Sequence, residues 1–217
     1  SQAVEEILAS GKSGQIVIET STLPIVVKEV ARRRLAAAGI TLLDCPLSGT
    51  GAQARTKDLA VYASGPRAAI RCCIPVFKGF ARAHYDLGNF GNGSKMKFVA
   101  NLLVAIHNVS AAEAVILARR SGLNPALAVK VLGDGAGSSR MLQVRGPMMA
   151  RRAYRNAAMK AEVWQKDMKI IGDFVRQFGS PAPLFAATKT IYDAVIAQGY
   201  GKSDTASVCA VLERRVR

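Results

Sequence analysis

Strand-like runs stop at about residue 90, and this change of texture constrains the fold more than anything else in the chain. Before it, short β-branched stretches alternate with helical ones; after it, every periodic segment has helical spacing. Gln15–Glu19 reads as a buried strand, and Pro24 opens a helix that ends at Gly39. A strand over 41–44, a Gly-rich loop over 48–51 and a strand near 59–63 follow, then a helix after Pro66 and a strand near 83–86. Alternation of this kind argues for α/β layering with partly parallel strands. From Gly93 onward the sequence predicts one long helix over 94–120 and further helices over 125–133, 138–152, 159–178, 183–198 and 204–214. The expected fold class is therefore α/β plus all-α, in two domains, 1–90 and 91–217, the second beginning with the long helix.

Half of the 217 residues are hydrophobic, which excludes a disordered chain. Thirty Lys and Arg against 15 Asp and Glu give a net charge of +15, an invitation to polyanions. Aromatic residues are only 6%, which leaves little material for stacking on single-stranded nucleic acid. Cys45, Cys72, Cys73 and Cys209 show no CxxC spacing and have only His84 and His107 for company. No metal site and no disulfide framework is expected from them, and reduced thiols point to a cytoplasmic protein. No run of 18 uninterrupted apolar residues and no signal-like N-terminus is present, so no membrane association is expected.

The sharpest constellation lies on the long helix. Lys97, Asn101 and Asn108 share one face at 3.6 residues per turn, surrounded by apolar residues. A lysine so placed either snorkels out or lines a cleft, where desolvation makes it a proton-exchanging group. The loop Cys45–Gly51 directly follows a strand; its glycines and the hydroxyls of Ser48 and Thr50 suit a carboxylate or phosphate, although an ordinary turn has the same composition. Lys166–Asp167 sits in an amphipathic helix, where a solvated pair is the default reading. No Gly-x-Gly-x-x-Gly run occurs anywhere in the chain.

Four motifs occur in register: Ser21-Thr22-Leu23-Pro24, Asp44-Cys45-Pro46-Leu47-Ser48-Gly49-Thr50, Gly91-x-Gly93-x-x-x-Lys97-x-x-x-Asn101, and Lys166-Asp167. With the late Gly199-Tyr200-Gly201-Lys202-x-Asp204 segment, the chain resembles the β-hydroxyacid dehydrogenases, the family of 3-hydroxyisobutyrate dehydrogenase, tartronate semialdehyde reductase and threonate dehydrogenase. The resemblance implies the C-terminal part of a Rossmann-like domain, a long interdomain helix and a helical domain that supports a homodimer or homotetramer. It implies NAD or NADP as cofactor and a small hydroxy acid as substrate. On that basis Lys97 corresponds to the catalytic lysine and Asn101 to the residue that orients substrate and lysine. Ser48, Gly49 and Thr50 correspond to the substrate-carboxylate loop, while Thr22 and Lys166 correspond to cofactor contacts. Thr50 replaces the second glycine usual in that loop.

The family's opening strand and glycine fingerprint have no counterpart here. The expectation is of an N-terminally truncated chain that by itself binds a dinucleotide poorly. The rival expectation is a catalytically silent, basic nucleic-acid- or chromatin-binding module on the same scaffold, supported by the acid-free stretch from Arg140 to Arg155.

Overall fold

The β-branched and leucine-rich runs become strands, and the segments between them become the helices that cover both faces of the resulting sheet. The chain is known from a computed structural model that describes residues 2–214. It separates into two compact units, Ser1–Ala100 and Asn101–Arg217. The first contains α1 (Gln2–Ser10), β1 (Ile16–Glu19), α2 (Ile25–Ala37), β2 (Thr41–Asp44), β3 (Leu47–Ser48), α3 (Gly51–Arg55), β4 (Ala60–Ala63), α4 (Arg67–Phe80) and β5 (Ala83–Asp86), and ends within α5 (Asn92–Arg120).

β1 and β2 run parallel in the register Ile16 to Thr41, joined by the crossover helix α2. β4 and β5 form a second parallel pair joined by α4, and β3 pairs antiparallel with β4. A bridge between Asp44 and Ser64 stitches the two groups. The two-residue period of β2 sends neighbouring side chains to opposite faces. Leu42 packs with Val4, Leu35 and Ile40 beneath α1 and α2, whereas Leu43 packs with Val61, Ile70, Cys73 and Phe77 beneath α4. Both faces being covered is why successive residues of β2, Leu42 and Leu43, are both apolar, before the strand closes on a carboxylate.

Two elements fall inside the stretch expected to be a loop. Ser48 belongs to β3, and α3 begins at Gly51. The backbone N–H of Thr50 donates to Gln53 Oε1 at 3.0 Å. That contact is half of a Thr-x-x-Gln capping box, a helix-start signal that outweighs the glycine content.

The second unit continues α5 and adds α6 (Pro125–Asp134), α7 (Arg140–Arg151), α8 (Ala161–Gln177), α9 (Pro183–Ala197), a 3₁₀ turn (Thr205–Ser207) and α10 (Val208–Arg214). No strand occurs in it among the described residues. Asn124 caps α6 by accepting from the N–H groups of Ala126 and Leu127, and Ser139 caps α7 through Leu142. By length and mean hydropathy (1.5) α5 is apolar enough to cross a membrane. Its buried asparagines, however, are bonded into the helical unit, as a core helix requires.

Candidate active site

The parallel strands end on charged and polar residues, and these organise the first unit. Lys28, on α2, is 2% exposed. Its ammonium lies 2.8 Å from Asp44 Oδ1 and 2.5 Å from Glu19 Oε2, and donates to the Ser21 carbonyl at 2.7 Å. Two hydrogen bonds, to Asp44 and the Ser21 carbonyl, and a second carboxylate at ion-pair distance are how a buried ammonium is tolerated. Asp44 is equally occupied. Its Oδ1 also accepts from Ser94 Oγ at 2.8 Å, while Oδ2 accepts from the Ser94 backbone N–H at 2.8 Å and from Ser64 Oγ at 3.2 Å. One carboxylate thus caps the start of α5 and, through Lys28, holds the loop that carries Thr22. The sequence reading missed Lys28, Ser64 and Ser94 altogether and quoted Asp44 only as part of a motif.

Gly93 explains how α5 comes so near the strand ends. A Cβ there would lie 2.3 Å from the Tyr62 carbonyl and 2.6 Å from that of Asp44, so only glycine fits. Gly93→Ala is expected to cost at least ~2 kcal/mol, read as a lowered urea midpoint; an unchanged midpoint would show that the close approach is not required.

One turn after that contact, Lys97 is half-buried and donates from Nζ to the Leu47 carbonyl at 2.6 Å. The lysine is therefore tied to the base of the Ser48-Gly49-Thr50 loop. Gly49 has φ +128° and faces Leu59 so closely that a Cβ would meet its Cδ2 at 2.4 Å. The loop's backbone path needs this glycine, whereas position 50, where Thr replaces the usual glycine, has no left-handed requirement. Thr22 lies between β1 and α2, next to Ser21, whose carbonyl Lys28 holds. Burial pushes the Cys45 thiol up to about 12, so it stays protonated beside this cluster.

Asn101 lies in the second unit, one helical turn beyond Lys97 on α5. It is buried and donates from Nδ2 to Asp167 Oδ2 at 3.1 Å. Lys166 is about half exposed, with Nζ 3.5 Å from Asp167 Oδ1. The expectation of a solvated Lys166–Asp167 pair is corrected here: Lys166 reaches solvent, but Asp167 is buried because α8 turns it toward α5. Asn108 lies apart from this group. Its Nδ2 donates to Tyr192 Oη at 3.0 Å and to the Thr205 carbonyl at 2.9 Å, which makes it a core tie of the helical unit.

The stretch from Arg140 to Arg155 is not one basic face. Arg145 is 5% exposed and ion-paired to Asp204 at 3.0 Å, and Arg152 pairs with Glu213 at 3.1 Å. Asp204, the last residue of the late glycine-rich segment, also accepts from the backbone N–H groups of Ala158, Met159 and Ala206. All four cysteines are free, and no group of three His, Cys, Asp or Glu suited to a metal occurs among the described residues.

Comparison with known proteins places this geometry in a family. Residues 91–212 match the profile described as NAD-binding of NADP-dependent 3-hydroxyisobutyrate dehydrogenase, and residues 1–91 match the NAD binding domain of 6-phosphogluconate dehydrogenase. L-threonate dehydrogenase from Cupriavidus necator is 32% identical over 204 residues, which are 94% of this chain and 68% of that protein. The Haemophilus influenzae L-threonate dehydrogenase is 28% identical over 92% of this chain and 66% of its own length. The chain thus spans about two thirds of the length of these curated relatives. A crystal structure of 3-hydroxyisobutyrate dehydrogenase from Salmonella typhimurium, 28% identical, superposes with a TM-score of 0.87 over 97% of this chain and 75% of that one.

Proposed function

Because the chain belongs to the 3-hydroxyisobutyrate dehydrogenase family of NAD(P)-dependent hydroxyacid dehydrogenases, we propose that it interconverts a small hydroxy acid and its semialdehyde or keto form, with Lys97 exchanging the proton. The observation that carries this reading is the 2.6 Å bond from Lys97 Nζ to the Leu47 carbonyl, which holds the amine at the foot of the anion loop. The first domain, residues 1–90, would serve the cofactor, and the helical domain, 91–217, would complete the site and carry a homodimer or homotetramer contact. Exposed Leu117, Leu123, Leu127 and Val131 give the latter an apolar surface to bury. A cytoplasmic location accords with the four reduced thiols.

The residues present fit the nicotinamide end of a dinucleotide. The Thr22 loop follows the C-terminal end of a parallel strand, the place where such ligands bind, and it is braced by the buried Lys28. The chain has no glycine fingerprint for the pyrophosphate. NAD or NADP, when bound, supplies the acceptor or donor of hydride.

The protein's own residues do the rest. Ser48 and Thr50 hydroxyls and the Gly49 backbone would bind the substrate carboxylate, placing the hydroxyl by Lys97. In oxidation the neutral amine of Lys97 takes the hydroxyl proton as the hydride leaves carbon; in reduction the ammonium returns it to the carbonyl oxygen. Asn101, fixed by Asp167, would orient substrate and lysine, and Lys166 would reach cofactor and substrate from the helical domain.

Threonate leads the substrates to be tried, since the relatives above are named for it. The intact protein should oxidise L-threonate, D-glycerate or 3-hydroxyisobutyrate with NAD or NADP, followed by nicotinamide absorbance. Absence of turnover with all three acids and both cofactors would refute the proposal.

A further inference from the structure

Five arginines left unused by the proposed reaction converge on one cavity of the helical unit. It measures about 740 Å³ and, among the described residues, is walled by Arg119, Arg120, Arg152, Arg155 and Arg214 against one carboxylate, Glu213. A cavity of this size suits a small molecule. Glu213 is shared: it pairs with Arg119 and with Arg152, the latter through two contacts of 3.1 Å. Arg119 is further committed to the carbonyls of Met149 and Ala150, both at 3.1 Å. Arg214 lies 5.4 Å above the Tyr200 ring and reaches Gln198 Oε1 at 3.2 Å. Arg120 and Arg155 are exposed, and neither guanidinium has a partner among the described residues.

Five guanidiniums facing one carboxylate repel one another, and a concave wall holds them where water screens them less than on a flat surface. Tyr154, on the cavity wall, is 7% exposed, and its buried hydroxyl lies against the Cys209 thiol. Burial raises its pKa well above the ordinary tyrosine value, so it stays a neutral hydroxyl. Guanidinium forks match tetrahedral oxyanions bidentately, and a multiply charged one engages several at once. Within the helical unit the cavity is separate from Asn101. Arg119 lies eighteen residues beyond Asn101 on α5, about 27 Å at 1.5 Å per residue.

We propose that this arginine-walled cavity binds a compact phosphate-bearing anion, with Arg120 and Arg155 as its principal ligands. The concave shape favours a small molecule over a nucleic-acid strand, which would lie along a convex or grooved basic face.

Calorimetric titration of the intact protein with inorganic pyrophosphate at low salt tests this directly. One saturable site per chain is expected, unaffected by added NADP, with inorganic phosphate and citrate each at least tenfold weaker. The Arg120→Ala/Arg155→Ala double variant should weaken pyrophosphate at least tenfold. Both side chains are exposed and unbonded, so the variant keeps its fold, which its unfolding temperature verifies. That temperature should rise with pyrophosphate in the wild type and stay put in the variant. No saturable binding, equal affinity in the double variant, citrate binding as tightly, displacement by NADP, or duplex DNA competing as effectively would each overturn the assignment.

Discussion

Lys97→Ala is expected to lower kcat by about 10²–10⁴-fold or more in the intact protein, the range typical of losing a positioned acid–base group. Dissociation constants for NAD or NADP should stay within a few-fold, because Lys97 donates to the Leu47 carbonyl at the base of the Ser48-Gly49-Thr50 loop, where the substrate is proposed to bind. Lys97→Arg separates charge from proton transfer. It keeps a cation beside the loop but cannot deprotonate near neutrality, so substrate binding should survive better than turnover. Steady-state kinetics with a direct cofactor titration read both effects. Normal turnover in Lys97→Ala would remove the lysine from the mechanism.

The second large effect concerns folding. Lys28→Met should destabilise the protein by ~3–5 kcal/mol, the usual cost of leaving a buried charge without its partner. Asp44 has no exposed surface, and Glu19 keeps only about a fifth of its own, so the two carboxylates would face each other across an apolar gap. Urea denaturation should show the midpoint falling steeply, whereas Arg34→Ala, which breaks the exposed Arg34–Glu5 pair, should barely move it. The loss should also reach the Thr22 loop, because Lys28 holds the Ser21 carbonyl. A Lys28→Met protein as stable as wild type would show that Ser64 and Ser94 alone satisfy Asp44.

Where sequence and structure agree, local chemistry was in command. All but the first residue of the run QIVIE became β1, Pro24 and Gly39 bracket α2, and the loss of strand signal after Gly93 matches a helical second unit. Lys97 was legible because a lysine amid apolar helix residues demands an explanation, and Asn101 because it follows one turn later. Lys28 was illegible. It sits beside Glu29 in a segment that also contains Arg32, Arg33 and Arg34, so its spacing resembles that of any solvated helix face. Only the crossover geometry, which brings α2 over the ends of β1 and β2, shows that this lysine points inward. Asp167 was misread for the same reason, since its partner Asn101 is 66 residues away. The short helix after Thr50 was misread for a different one: glycine content hid a capping signal already written at Thr50 and Gln53.

The way Asp44 spends its two oxygens bears on how such a protein can change over evolutionary time. Both are directed inward, to Lys28, Ser64 and Ser94, and none is left for the loop that follows. The peptide from Cys45 to Ser48 is held instead by backbone bonds, from Cys45 to Glu19 and from Tyr62 to Pro46, and by the pairing of β3 with β4, while Thr50 bonds to Gln53 rather than to the strands. Under the proposed function, exchanging the side chain at position 50 would alter which acid is accepted without disturbing the Lys97 bond to the Leu47 carbonyl. On that reading substrate choice and proton chemistry would vary separately, though only five residues of chain lie between Asp44 and Thr50.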